Sequence, residues 1–337
     1  MRSLQRLLYV TAGLLILAAC GRPEKSGVSS AVSSDLGRLP KDLQTLGYAD
    51  LQSLRGSELG QQFRAAIDSQ MIKEHHGEDY QAFVEATGFD VRKDVHAVLV
   101  GAQAHFADST RHVEGAGFAV VRGAFDEGRI VAYLQSKEHG EHKLTTTTYN
   151  GKTIYTGPRG KQAAYFADAG TLIVGTEEWL KLVIDNQLSG KTALENQELM
   201  GMIGELRHKD QLWAVGTTGN LMDRLAAELG KEEHFKATKS LRSLRSGLFS
   251  AQVGATAELW GTMTCGTEED GRLMADALKG ALAMAKLAVS DDRDMVDMLN
   301  RFEVEAKGAR VQLSGKIDKP FLDKLKEKHT LKKMALL

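Results

Sequence analysis

Leu144-Thr145-Thr146-Thr147-Thr148-Tyr149-Asn150-Gly151-Lys152-Thr153-Ile154 is the stretch on which the fold turns. Threonine, tyrosine and isoleucine favour extended backbone. Asn-Gly between them is the strongest short-range signal for a two-residue hairpin, because both central positions of a type I′ turn need positive φ. An antiparallel pair is therefore expected here. Toward the C-terminus, Ile154, Tyr165 and the run Leu172 to Val174 extend it as an antiparallel meander. Trp179, Leu182 and Val183 then share a helical face that ends near Gly190, a natural left-handed C-cap. Toward the N-terminus lies a helix capped by Asp126, and before it two apolar runs of strand length, Val95 to Val100 and Gly117 to Val121. The polar stretch His105 to Gly115 between those runs reads as an exposed loop. Further upstream are a helix carrying Tyr80, Phe83 and Val84 and ending near Gly88, and a helix with Leu59, Phe63, Ala66, Ile67 and Met71 behind Ser57. A short strand over Tyr48 to Leu51 comes before both.

The second half follows the same grammar. Leu212 to Val215, Gly247 to Val253 and Thr256 to Thr264 read as strands, and Asn220 to Leu229 as a helix. A long helix begins at Thr267, with Asp270 three residues on as in a capping box. Its apolar stripe is Met274, Leu278, Ala281, Leu282, Ala285 and Val289. Phe302 to Ala306 and Arg310 to Ile317 flank Gly308 as a second hairpin, and Pro320 opens a final helix at a position where its missing donor costs nothing. Asp126-Glu127-Gly128-Arg129-Ile130-Val131-Ala132 lies directly on Glu269-Asp270-Gly271-Arg272-Leu273-Met274-Ala275; each segment follows a strand, begins a helix and precedes a hairpin. Internal duplication follows as a hypothesis. The fold class expected is α+β: antiparallel meanders and hairpins with covering helices, in two similar halves, 41–190 and 191–337.

The chain has 337 residues, a formal charge of −1, 42% hydrophobic and 26% charged residues. That composition suits a globular body with a sizeable core and excludes disorder or a collagen-like chain. The balanced charge argues against nucleic acid as a partner, which needs a basic excess.

At the N-terminus, Arg2 and Arg6 precede an apolar run from Leu7 to Leu17 and the small residues Ala18 and Ala19. These are the three parts of a secretory signal, with an apolar run too short for a permanent span of about 20 residues. The junction Leu17-Ala18-Ala19-Cys20-Gly21 resembles the lipobox of bacterial lipoproteins. That resemblance implies a cleaved signal over 1–19 and a mature chain that starts at Cys20. Diacylglycerol would sit on the Cys20 sulfur and a further acyl chain, such as palmitate, on its amine. Two or three chains make a stable anchor, since each buried CH₂ contributes about 0.8 kcal/mol. Gly21 in place of Asp implies the outer membrane, with the body facing the periplasm. Residues 20–40 hold the lipidated cysteine and a Ser- and Gly-rich stretch that reads as a flexible tether, about 25 Å root-mean-square for ~20 residues.

With Cys20 acylated, Cys265 is the only other cysteine, so no intramolecular disulfide forms. Its apolar neighbours Leu259, Trp260 and Met263 mark it as a core residue. Losing Arg2 and Arg6 with the signal leaves the mature chain mildly acidic.

Catalytic motifs are missing. The sequence has no G-x-S-x-G, no S-x-x-K and no G-x-G-x-x-G after a strand. Gly151-Lys152-Thr153 and Gly190-Lys191-Thr192 each lack the earlier glycine of a P-loop. His139, Glu141 and His142, beside Glu138, form the one constellation that could hold Zn²⁺ and leave a position open for water. His75 and His76 lie apart from it. Asp291, Asp292, Asp294 and Asp297 depart from the EF-hand pattern and read as helix-start acids. Lys236, Lys239, Arg242 and Arg245, and the lysines 324, 326, 328, 332 and 333, read as the polar faces of amphipathic helices.

The body weakly resembles exported lipoprotein domains of unknown function. That resemblance implies a non-catalytic binding or structural module without a cofactor. Its partners would be the membrane, through the anchor, and an envelope protein, glycan or small ligand. The competing expectation is a metal-dependent hydrolase that uses His139 and His142, with Glu141 as ligand or general base.

Overall fold

The computed structural model describes residues 27–61, 77–106, 113–137, 144–157, 160, 162–218 and 242–324. The Asn-Gly hairpin forms as its chemistry requires: Asn150 and Gly151 have φ of 45° and 74°. They join β4 (Thr145–Tyr149) to β5 (Lys152–Thr156), and β6 (Ala163–Asp168) and β7 (Thr171–Gly175) complete the meander. A helix over Glu177–Ser189 follows, capped by the Thr176 side chain at one end and by left-handed Gly190 (φ 74°) at the other.

The chain enters this body through α1 (Ser30–Leu36), whose first turn is capped by Ser29 accepting from the Val32 N–H. Next come β1 (Thr45–Asp50), α2 (Leu51–Gly56), α3 (Gly77–Thr87), a single turn α4 (Val91–Asp94), β2 (Val95–Phe106), β3 (Val113–Gly123) and α5 (Glu127–Ser136). The helix over Glu177–Ser189 is then α6, and α7 (Gln197–Ile203) leads to β8 (Leu212–Thr217), β9 (Leu244–Val253) and β10 (Ala257–Cys265). The long α8 (Glu268–Ala288), α9 (Arg293–Leu299), β11 (Glu303–Lys307) and β12 (Arg310–Ile317) follow.

The fold is α+β. The twelve strands of the described residues join one antiparallel sheet in the order β11-β12-β10-β9-β8-β1-β2-β3-β7-β6-β5-β4. β1 pairs with β8, so the sheet runs unbroken across the boundary at residue 190. From that central pair β1-β2-β3 and β8-β9-β10 run outward in opposite directions.

Register assigns the faces. Leu99, Val120, Ile173 and Tyr165 oppose one another in successive strands and share a face with Leu46, Val215 and Leu248. That face carries the main core, where Leu36 and Leu39 of the entry segment, Leu180 and Val183 of α6, and Leu199 and Ile203 of α7 cover the sheet. On the other face three smaller cores form among the described residues, one of them Met295, Met298 and Phe321 with Val289 and Phe302. Phe89, Val95 and Phe125, with Phe83 and Ile130, pack at the first half, while Met274 and Ala275 of α8 pack on Cys265, Val304 and Val311 at the second.

Three expectations need correction. The expected flexible tether over 20–40 is an ordered segment over its described part, residues 27–40. Val32, Leu36 and Leu39 are buried, and the Asp35 carboxylate accepts two hydrogen bonds from the Arg122 guanidinium of β3, at 2.6 and 2.7 Å. A serine-rich sequence looked like linker, but Val32, Asp35 and Leu36 at helical spacing supply a face that docks. Both ends of the expected loop His105 to Gly115 are strand, since β2 and β3 pair from Val95↔Gly123 out to Phe106↔Val113, and residues 107–112 lie outside the described residues; polar composition hid the length of the two strands. Finally, burial fades along the α8 stripe: Met274 is buried, Leu278, Leu282 and Val289 are half-buried, and Ala281 and Ala285 are exposed, while Met284 and Leu287, which lie off the stripe, are 72% and 73% exposed.

Candidate functional site

The central β1–β8 pair places Tyr48 opposite Trp213, and their rings stack with centroids 5.4 Å apart. They form the floor of a cleft of about 320 Å³. One wall is the incoming segment Gly27 to Ser29, held by the Gly27 N–H donating to the Leu206 carbonyl at 2.7 Å. The facing wall is the turn Arg207-His208-Lys209-Asp210 between α7 and β8, and Asp50, Ser53 and Gln252 close the ends.

The two acids of this cleft are already engaged. Asp210, with its side chain fully buried, accepts from the Arg207 backbone N–H and from its Nε, each at 3.1 Å. Asp50 caps α2 by accepting from the Ser53 N–H at 2.8 Å and the Ser53 hydroxyl at 2.7 Å. Arg207 also approaches Glu258 at 3.8 Å, and Lys316 holds that same glutamate at 2.8 Å. Among the described residues, the Tyr48 hydroxyl and the side chains of His208, Lys209 and Gln252 make no hydrogen bond or ion pair. Burial, helped by the charges of Asp50 and Asp35, pushes the Tyr48 phenol up to about 12. It is therefore an O–H donor at any physiological pH.

A second cleft, about 380 Å³, opens between α7 and the β9–β10 hairpin. In it Arg310 donates to Glu205 at 2.5 Å and to the Thr262 hydroxyl at 3.3 Å. A third polar cluster, Arg122, Asp35, Arg38 and Asp168, joins α1 to β3 and β6, with Arg38 donating to Asp168 at 2.9 Å. Its work is to hold the entry helix on the sheet.

Of the residues singled out in the sequence, Cys20, His75, His76, Glu138, His139, Glu141 and His142 lie outside the described residues, as do Lys236, Lys239 and the lysines beyond 324. Among the described residues no group of three or more His, Cys, Asp or Glu stands close enough to hold a metal ion. Asp292 caps α9, and Lys324 bridges Asp292 and Asp294 at 2.8 and 2.7 Å, so those acids serve a helix start and an ion pair. Cys265 is buried, which pushes its thiol up and keeps it protonated. Among the described residues no helix is long and apolar enough to cross a membrane.

The Tyr48–Trp213 cleft was not visible in the sequence. Arg207-His208-Lys209-Asp210 is a charged run between a helix and a strand, the usual appearance of a solvated turn, and nothing local indicates that Tyr48 lies across from Trp213.

No family model matches the chain. No curated protein matches it either. Among solved structures, three crystal forms of TP0453 are similar in backbone course at low identity. Form III aligns at TM-score 0.43 with 12% identity, over 84% of this chain and 93% of that one. Form IV gives 0.42 and 11% over 84% and 92%, and form I gives 0.44 and 10% over 85% and 94%.

Proposed function

We propose that the chain is a bacterial envelope lipoprotein, anchored through acyl groups on Cys20, whose α+β body is a non-catalytic binding or structural module. The observation that carries this reading is the junction Leu17-Ala18-Ala19-Cys20 behind a basic start and a short apolar run. The outer membrane, with the body in the periplasm, is the location this reading favours. We also read β1-β2-β3-α5 and β8-β9-β10-α8 as copies of one duplicated unit, supported by their outward order from the central pair. An envelope protein, a glycan or a small ligand remains the class of partner for the body.

Metabolic labelling with palmitate tests the anchor. Label is expected on the parent chain, with loss of label and accumulation of the uncleaved precursor for Cys20→Ser. Equal labelling of the variant overturns the assignment.

A further inference from the structure

We propose that the outward face of α8 is a dimer interface, on which a second copy of the chain lays its own α8 in the opposite direction. Acylation of Cys20 plays no part in this.

Leu273, Ala277, Gly280, Met284 and Leu287 recur at spacings of four, three, four and three, so they share one face of the helix. All five are exposed. Their face is on the far side of the helix from Met274, Ala275 and Leu278, which rest on the Cys265, Val304 and Val311 core. Five positions without a polar side chain, spread over about 21 Å, thus face water on a helix whose other side is already packed.

Gly280 shows what kind of surface fits there. The other glycine of α8, Gly271, is needed by the chain itself, since a Cβ on it would lie 2.6 Å from the Gly308 carbonyl oxygen. Around Gly280 nothing lies within 4 Å of such a Cβ. A glycine there weakens the helix relative to alanine, and no described residue gains from it. A second helix crossing at Gly280 does gain, because its backbone can come close. A bilayer does not: lipid chains reward bulk, and Glu268, Glu269 and Asp270 of the first turn oppose the anionic surface that interfacial helices meet with lysine and arginine.

The pattern of the face then selects a second copy. Leu273 and Leu287 stand seven residues on either side of Gly280, so a two-fold axis at Gly280 sets Leu273 of each copy against Leu287 of the other, with Met284 over the small Ala277. Charge follows the same symmetry. Asp276 and Lys286 flank the stripe on one side, and neither has an ion-pair partner among the described residues. Antiparallel packing brings Asp276 of each copy to within about 3 Å, along the axis, of Lys286 of the other. It also pairs the opposite ends of the two helix dipoles, whereas parallel packing sets like charge against like. A single helix pair is smaller than the roughly 800 Å² per partner of stable complexes, so this dimer is a dissociable one.

The test is disulfide trapping in the full chain, oxidised with copper phenanthroline in intact cells. Linked tryptic peptides are identified by mass spectrometry, so Cys20 and Cys265 do not interfere. Gly280→Cys should link to its own copy, because a disulfide needs Cα atoms within about 7 Å. Leu273→Cys alone should not, since antiparallel copies hold the two residues about 21 Å apart; co-expressed with Leu287→Cys, it should. In the Gly280→Cys chain, Asp276→Lys should lower the linked fraction about five-fold, the worth of two exposed ion pairs. Adding Lys286→Asp should restore it, and this rescue separates lost pairing from lost folding. Absence of a link at 280 overturns the inference, and so does a Leu273→Cys homodimer, which means parallel or random contact. If Gly280→Cys stays unlinked and a bimane label on it shifts to the blue with phosphatidylglycerol vesicles, the face belongs to a membrane instead.

Discussion

Asp90 sits between α3 and α4 with its side chain only 6% exposed, surrounded by donors. It accepts from the Arg92 N–H and Nε at 3.0 Å each and from the Tyr80 hydroxyl at 2.5 Å, with Lys93 at 3.2 Å. The Arg92 guanidinium, above the other donors, holds the carboxyl well below the usual carboxylate range despite its burial. An unfolded aspartate titrates near 3.9. The unfolded chain therefore takes up a proton first as pH falls, and the stabilisation from Asp90 is complete above about pH 4 and lost below it. Asp90→Asn should cost about 1–2 kcal/mol at pH 7. It should also flatten the decline in urea midpoint below pH 4, and an acid limb as steep as the parent's would contradict this account. The sequence marked the end of a helix near Gly88 and nothing more. Tyr80 reaches Asp90 only because Gly88, with φ 73°, turns the chain back over its own helix. The cleft was hidden for a similar reason, since Tyr48 and Trp213 meet through a pairing between distant strands.

Elements were legible wherever a local signal fixes them. Asn150-Gly151, Asp126, Thr267 and Gly190 all sit where turn and cap chemistry put them, with the Asp126 and Thr267 side chains accepting from backbone N–H groups three residues on. Lengths were less legible, and α8 shows why. At 21 residues it is about 31 Å long. The stripe stays half-buried as far as Val289, which packs against the cluster of Met295, Met298 and Phe321, but only Met274 at its start is fully buried, and Met284 and Leu287, off the stripe, project into solvent. Met274→Ala should cost about 2–4 kcal/mol, whereas Leu287→Ser should stay within about 0.5 kcal/mol. Equilibrium unfolding in urea separates the two, and equal losses would mean that the face of α8 carrying Leu287 is packed.

At the scale of the molecule the two halves are structurally one body. Trp179 of α6 and Trp213 of β8 belong to the same core cluster, and Trp260 of β10 packs against it. Tryptophan fluorescence and far-ultraviolet circular dichroism should therefore report coincident urea transitions. Two separated transitions would mean that residues 41–190 and 191–337 unfold independently. The sequence displayed two similar runs of strands and helices, but not that they share one sheet, because pairing of β1 with β8 has no local signature. The central position of that pair also matters for the order in which the protein is made. A chain is synthesised from its N-terminus, so β1 carries an open edge until residues 212–217 have emerged. Until then Leu39, Leu46 and Leu99 also lack the cover that Leu199 and Ile203 later provide. Completion of the protein is thus tied to a late segment, and a nascent chain stalled short of Thr217 is the species most in need of a chaperone.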